Sequence, residues 1–151
     1  MTQEHQGPKP RIFVVEDNPG DIHLLRLALQ SANLDCDLTV VDDGQEALDF
    51  VRQRGNYEGS VVPDLVVLDL NVPKNDGIEI LEALRTNPAF AQVPIAVLSS
   101  SSSPRDIAKA ERLGVERFIA KPPDLEEYLT IGGVLKQLLA DNRSLKTSSG
   151  G

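Results

Sequence analysis

The chain has 151 residues, with 23 acidic and 15 basic side chains and a formal net charge of −8. That length suits one domain, large enough to bury roughly 68–70% of the surface its unfolded chain exposes. The acidic balance argues against nucleic-acid binding, which needs a basic face to displace counterions from phosphates. No stretch approaches the ~20 apolar residues of a membrane-spanning helix, and Met1 to Arg11 lacks the apolar centre of a secretory leader. The lone Cys36 cannot close an intramolecular disulfide and reads as a small buried hydrophobe. A cytoplasmic protein is expected.

The apolar pattern alternates between two periods. Arg11-Ile12-Phe13-Val14-Val15 is a short β-branched run, readable as a strand buried on both faces. Asn18-Pro19-Gly20-Asp21 breaks it and caps a helix with apolar positions Ile22, Leu25, Leu29 and Ala32. Asp37 to Val41 predicts a second strand, and Asp43-Gly44 opens a helix carrying Ala47, Leu48 and Val51. Arg54 to Pro63 is a polar, Gly-containing loop. Leu65 to Asp69 predicts the third strand, and Asn75-Asp76-Gly77 starts a helix with Ile78, Leu81 and Leu84. Pro94 to Ser99 is the fourth strand, followed by a helix from Pro104 to Leu113. Arg117-Phe118-Ile119-Ala120 is the fifth, and Pro123-Asp124-Leu125 begins a last helix running to Ala140. The paired Gly132-Gly133 inside that helix, each costing ~1 kcal/mol relative to Ala, predicts a kink or close approach. The domain is expected over residues 10–141, with 1–9 and 142–151 as flexible termini.

Strands alternating with helices imply right-handed crossovers and an α/β fold whose parallel sheet is covered on both faces. A flavodoxin-like (βα)5 sandwich, strand order 2-1-3-4-5, would set the first and third strands side by side at the switch point, where ligands of open α/β sheets gather. The charged residues stand where strands should stop: Glu16-Asp17 after the first, Asp69 after the third, Lys121 after the fifth. Ser99 ends the fourth. Adjacent strands lie ~4.8 Å apart, so Asp17 and Asp69 can face one small ion. A carboxylate can attack phosphorus to give an acyl phosphate. At 4 Å and an effective dielectric of 20, each like-charge pair costs about 4 kcal/mol, so a phosphoryl dianion beside three carboxylates needs counter-charge. Mg²⁺ (or Mn²⁺) suits such oxygen donors. Lys121 adds a mobile ammonium and Ser99 a hydroxyl within reach of phosphoryl oxygens.

Val14-Val15-Glu16-Asp17-Asn18, Asp69-Leu70-Asn71-Val72-Pro73 with Asp76-Gly77, Ser99, and Phe118-Ile119-Ala120-Lys121-Pro122 resemble the CheY-like receiver domain of two-component response regulators, over residues 10–140. The resemblance implies that Asp69 accepts a phosphoryl group from a sensor histidine kinase or a histidine phosphotransfer protein. Glu16, Asp17 and Asp69 would hold Mg²⁺, with Asn71 adding its backbone carbonyl. Lys121 would pair with a phosphoryl oxygen, Ser99 would accept the switching contact, and Phe118 would be the aromatic rotamer switch, although a Phe lacks the hydroxyl of a Tyr. The Lys121–Pro122 bond would be cis. Such proteins are phosphoacceptors rather than enzymes in the ordinary sense, assisting their own phosphorylation and dephosphorylation.

Glu-Asp-Asn-Pro-Gly-Asp after the first strand, the segment around Asp69 and the long loop before Pro63-Asp64 are similar to the single-domain regulators that partner bacterial phytochromes. That similarity implies a downstream protein target and a second copy of the chain as further partners. Two other readings compete. A scaffold using the same fold for binding alone usually loses a metal carboxylate or the lysine, and this chain keeps them. A haloacid-dehalogenase-like phosphatase needs an acid two residues after the nucleophile, where Asn71 stands. His5 and His23 read as surface residues.

Overall fold

A computed structural model describes residues 8–74, 76–100 and 103–150, without the side chains of 143–150. Expectations for residues 1–7, including His5, and for Asn75, Ser101, Ser102 and Gly151 lie outside the described residues. The elements are β1 Arg11–Val15, α1 Pro19–Ser31, β2 Asp37–Val41, α2 Gly44–Val51, β3 Leu65–Leu68, α3 Gly77–Thr86, β4 Ile95–Ser99, α4 Pro104–Arg112, β5 Arg117–Ala120, α5 Leu125–Leu129 and α6 Ile131–Gly150. A short 3-10 turn, Gly55–Tyr57, sits inside the loop expected to be irregular.

The five strands form one parallel sheet in the order β2-β1-β3-β4-β5. Period-2 alternation sends each central strand into two cores. Phe13, Val15, Val66, Leu68, Ile95 and Val97 pack with α2 and α3 on one face. Ile12, Val14, Leu65, Val67, Ala96 and Leu98 pack with α1, α5 and α6 on the other. Burial on both faces is why these strands read as unbroken apolar runs.

Every strand-to-helix turn ends in a side-chain cap. Asn18, Asp43, Asp76, Ser103 and Asp124 each accept a backbone N–H from the first turn of the helix that follows. These caps satisfy donors that a helix start leaves without intrahelical partners. Gly77 is required where α3 crosses the loop after β3, because a Cβ would strike the Leu70 backbone.

The last predicted helix is two. Thr130 keeps right-handed angles, φ −67° and ψ −18°. Its hydroxyl donates to the Glu127 carbonyl at 2.6 Å, the back-bonding that bends helices. α6 then continues to Gly150 rather than ending at Ala140; Asp141 to Ser149 holds no Pro or Gly to stop it. The expected close approach falls on Gly132 alone, against Ala28 of α1, while Gly133 faces open space.

Candidate functional site

Three backbone bonds carry the sheet ladder one residue past its strands. Glu16 N–H donates to Val41 O at 3.0 Å, Asp69 N–H to Val15 O at 3.0 Å, and Lys121 N–H to Ser99 O at 2.9 Å. The residues that end strands in the sequence are thereby fixed at one edge of the sheet, and their side chains converge there.

Lys121 Nζ lies 2.8 Å from Glu16 Oε1, 2.7 Å from Asp21 Oδ2 and 2.9 Å from Asp69 Oδ2. The other Asp69 oxygen, Oδ1, accepts the Asn71 backbone N–H at 2.9 Å and the Ser99 hydroxyl at 3.2 Å. Asn71 also reaches Ser99 Oγ through its side-chain amide at 3.5 Å. Glu16 Oε2 accepts the Asn18 N–H at 3.2 Å. Glu16, Asp69 and Ser99 are buried, whereas Asp17 is exposed and opens the cluster to solvent. Carboxylate oxygens of Glu16, Asp17 and Asp69 all lie within 4.8 Å of one another.

The electrostatics are unbalanced. Burial alone would lower the Lys121 pKa, but hydrogen bonds to Asp21, Glu16 and Asp69 outweigh it and hold the ammonium well above its usual range. Burial raises the Glu16 pKa; the Lys121 ammonium opposes that rise, and the Asp69 charge adds to it. Three carboxylates (Glu16, Asp21 and Asp69) share one ammonium, and Asp17 adds a fourth negative charge beside Glu16 and Asp69. Hard oxygen donors carrying excess negative charge, with one member open to solvent, suit a divalent cation. A second acidic group, Asp42, Asp43 and Glu46, has structural work instead: Asp43 caps α2 and pairs with Lys74 at 3.3 Å, and Glu46 accepts the Tyr57 hydroxyl at 2.7 Å.

The sequence thus identified Glu16, Asp17, Asp69, Asn71, Ser99 and Lys121, and all six meet at this edge. Phe118 stands apart, half-buried against the α2–α3 core and paired in register with Val97. Two members were missed. Asp21 read as part of a helix-opening turn, and buried Tyr128, whose hydroxyl donates to the Asp21 carbonyl at 3.4 Å, read as nothing more than a helix position. The cis Lys121–Pro122 bond is also corrected, for no cis peptide occurs among the described residues. Trans is favoured even before proline by ~0.5–1 kcal/mol, and Lys121 reaches its three carboxylates from it.

The profile of the response regulator receiver domain matches residues 12–131. The chain belongs to the response regulator receiver domain family. It is 35% identical to the response regulator Rcp1 of Synechocystis sp. over 127 residues, 84% of this chain and 86% of that protein. It superposes on the phosphorylated cyanobacterial phytochrome response regulator RcpA with a TM-score of 0.81 at 36% identity, covering 87% of this chain and 94% of that one. The Mn²⁺-bound form of Rcp1 gives a TM-score of 0.76 at 33% identity, over 82% of this chain and 88% of that one. Receiver domains are phosphoacceptor signalling proteins of two-component systems that interact with histidine kinases and downstream targets. The acidic cluster fits divalent-metal binding in this family. Among the described residues no helix is long and apolar enough to cross a membrane.

Proposed function

We propose that this receiver domain accepts a phosphoryl group on Asp69, from a phosphohistidine of a sensor kinase or a phosphotransfer protein, and that a phytochrome-type kinase is the donor. The observation that carries the reading is the Asp69 carboxylate itself: buried at a strand end, one oxygen on the Lys121 ammonium and the other on the Ser99 hydroxyl and the Asn71 N–H. As an Asp69 oxygen bonds to phosphorus, the bond from phosphorus to the donor imidazole breaks, and the imidazole keeps the electron pair. Lys121 neutralises charge on the phosphoryl oxygens. Glu16, Asp17, Asp69 and the Asn71 backbone carbonyl would hold Mg²⁺, which supplies further neutralisation of phosphoryl charge.

Ser99 now donates to Asp69; once the acyl phosphate forms, its hydroxyl turns to a phosphoryl oxygen. Phe118 lies two residues before Ala120, the strand partner of Ser99, and answers the shift of β4. The altered surface of α4, β5 and α5 is then the output, read by a downstream protein or by a second copy of the chain in the cytoplasm. Lys121 and the metal carboxylates equally serve attack by water, so the domain assists its own dephosphorylation. Because the lysine and every metal carboxylate are retained, nothing favours a scaffold that is never phosphorylated. Beryllofluoride, a phosphoryl stand-in, is expected to bind the Mg²⁺-loaded wild type and not Asp69→Asn. Equal binding to both would refute the assignment.

A further inference from the structure

Asp21 has no role in the phosphoryl chemistry just described, yet it holds the same ammonium as Glu16 and Asp69. Its oxygen lies 2.7 Å from Lys121 Nζ, and its side chain is 23% exposed where those of Glu16 and Asp69 are 6% and 4%. Its backbone is fixed on both sides. The Asp21 N–H donates to Asn18 Oδ1 at 3.1 Å, and its carbonyl accepts the Tyr128 hydroxyl at 3.4 Å. The side chain therefore projects from an anchored first turn of α1 toward the end of β5.

Glu16 and Asp69 belong to the acidic group able to hold a metal ion, and Asp21 does not. Lys121 thus neutralises the very carboxylates that a divalent cation needs. Ammonium and dication repel one another at shared oxygens. The cation can take Glu16 and Asp69 only if the ammonium gives up some of its contact with them, and a buried ammonium left without an anion is strongly disfavoured.

We propose that Asp21 is a positioning residue for Lys121: it gives the ammonium a seat outside the metal carboxylates, so that Lys121 stays at the site while Glu16 and Asp69 turn to a divalent cation. This rests on the metal-dependent phosphoacceptor reading above. Removing the Asp21 charge leaves the ammonium on Glu16 and Asp69, where it competes with the cation. An alternative with the same sign is that Asp21 attracts the cation simply as a nearby negative charge. The two differ in whether Lys121 is needed.

The test is Mn²⁺ binding to the full chain by electron paramagnetic resonance, for wild type, Asp21→Asn, Lys121→Met and the double variant. Melting in EDTA confirms that each is folded, and Asp21→Ser must reproduce Asp21→Asn. Asp21→Asn is expected to weaken the Kd by about threefold or more where Lys121 is present. In the Lys121→Met background the same change is expected to move it by less than about twofold. Equal weakening in both backgrounds, or no weakening of the single variant, overturns the inference and leaves the phosphoacceptor reading intact. A wild type that binds no Mn²⁺ overturns both.

Discussion

Gly132 and Gly133 are neighbours in α6, yet alanine at the two positions is expected to act with opposite sign. At Gly132 a Cβ would drive into the Ala28 carbonyl, coming within 2.6 Å of its carbon and 3.2 Å of the Ala32 Cβ. The obstruction is the backbone of α1, which Leu25 and Leu29 anchor in the core, so it cannot swing aside as a long side chain would. Overpacking typically costs 1–3 kcal/mol, and a backbone obstacle puts Gly132→Ala near about 3 kcal/mol. At Gly133 nothing lies within 4 Å, so alanine there gains helix propensity of about 0.8–1 kcal/mol. At about 2–4 °C per kcal/mol for a chain this long, Gly133→Ala raises Tm by roughly 2–4 °C and Gly132→Ala lowers it by roughly 6–12 °C. Thermal melts followed by circular dichroism read both. If the two variants shift in the same direction by similar amounts, the close contact of α1 with α6 does not explain Gly132.

Lys121→Met leaves Glu16 and Asp69, with side chains 6% and 4% exposed, facing each other without a cation. Breaking a buried ion pair from one side costs roughly 3–5 kcal/mol, which urea denaturation in EDTA measures; a variant as stable as wild type contradicts the pairing. Arg85 donates to the carbonyls of Leu113, Ala91, Val93 and Gly114 and to Glu116, tying the end of α3 to two loops. Arg85→Met, which removes that donor from the four carbonyls while Glu116 Oε1 keeps the Ile95 N–H at 2.7 Å, is expected to cost about 3 kcal/mol in the same assay, and a loss near zero would show that the loops hold themselves. Burial, and then its bond to Glu46, pushes the Tyr57 phenol up to about 12. Its folded pKa lies above the unfolded value near 10, so its contribution is whole below about pH 10 and is lost as pH rises toward about 12. The wild-type Tm therefore falls more steeply across that window than that of Tyr57→Phe, and matching slopes would rule the bond out as the cause.

What the sequence made legible follows from how locally each feature is encoded. Val14-Val15 and Val66-Val67 are buried from both sides, so strand assignment needed no tertiary knowledge, and the caps at Asn18, Asp43 and Asp124 bond within their own turns. The site was legible because a parallel sheet delivers strand-end residues to one edge. Asp21 escaped notice because its partner is 100 positions away, across a contact of α1 with the end of β5 that no local pattern records. The one available hint was an acid one helical turn beyond Asp17. Arg85 was hidden in the same way, for an arginine that saturates backbone carbonyls looks in sequence like any other surface cation. The bend at Thr130 rests on a single hydroxyl turning to its own helix rather than to solvent, and composition does not reveal that choice.

The central claim concerns one carboxylate. Incubation with acetyl phosphate and Mg²⁺, followed by intact-mass measurement of wild type and Asp69→Asn, tests it most directly. One acid-stable, base-labile phosphoryl group per chain is expected on the wild type, absent from Asp69→Asn and absent when EDTA replaces Mg²⁺. Labelling of Asp69→Asn at the wild-type stoichiometry would contradict the account.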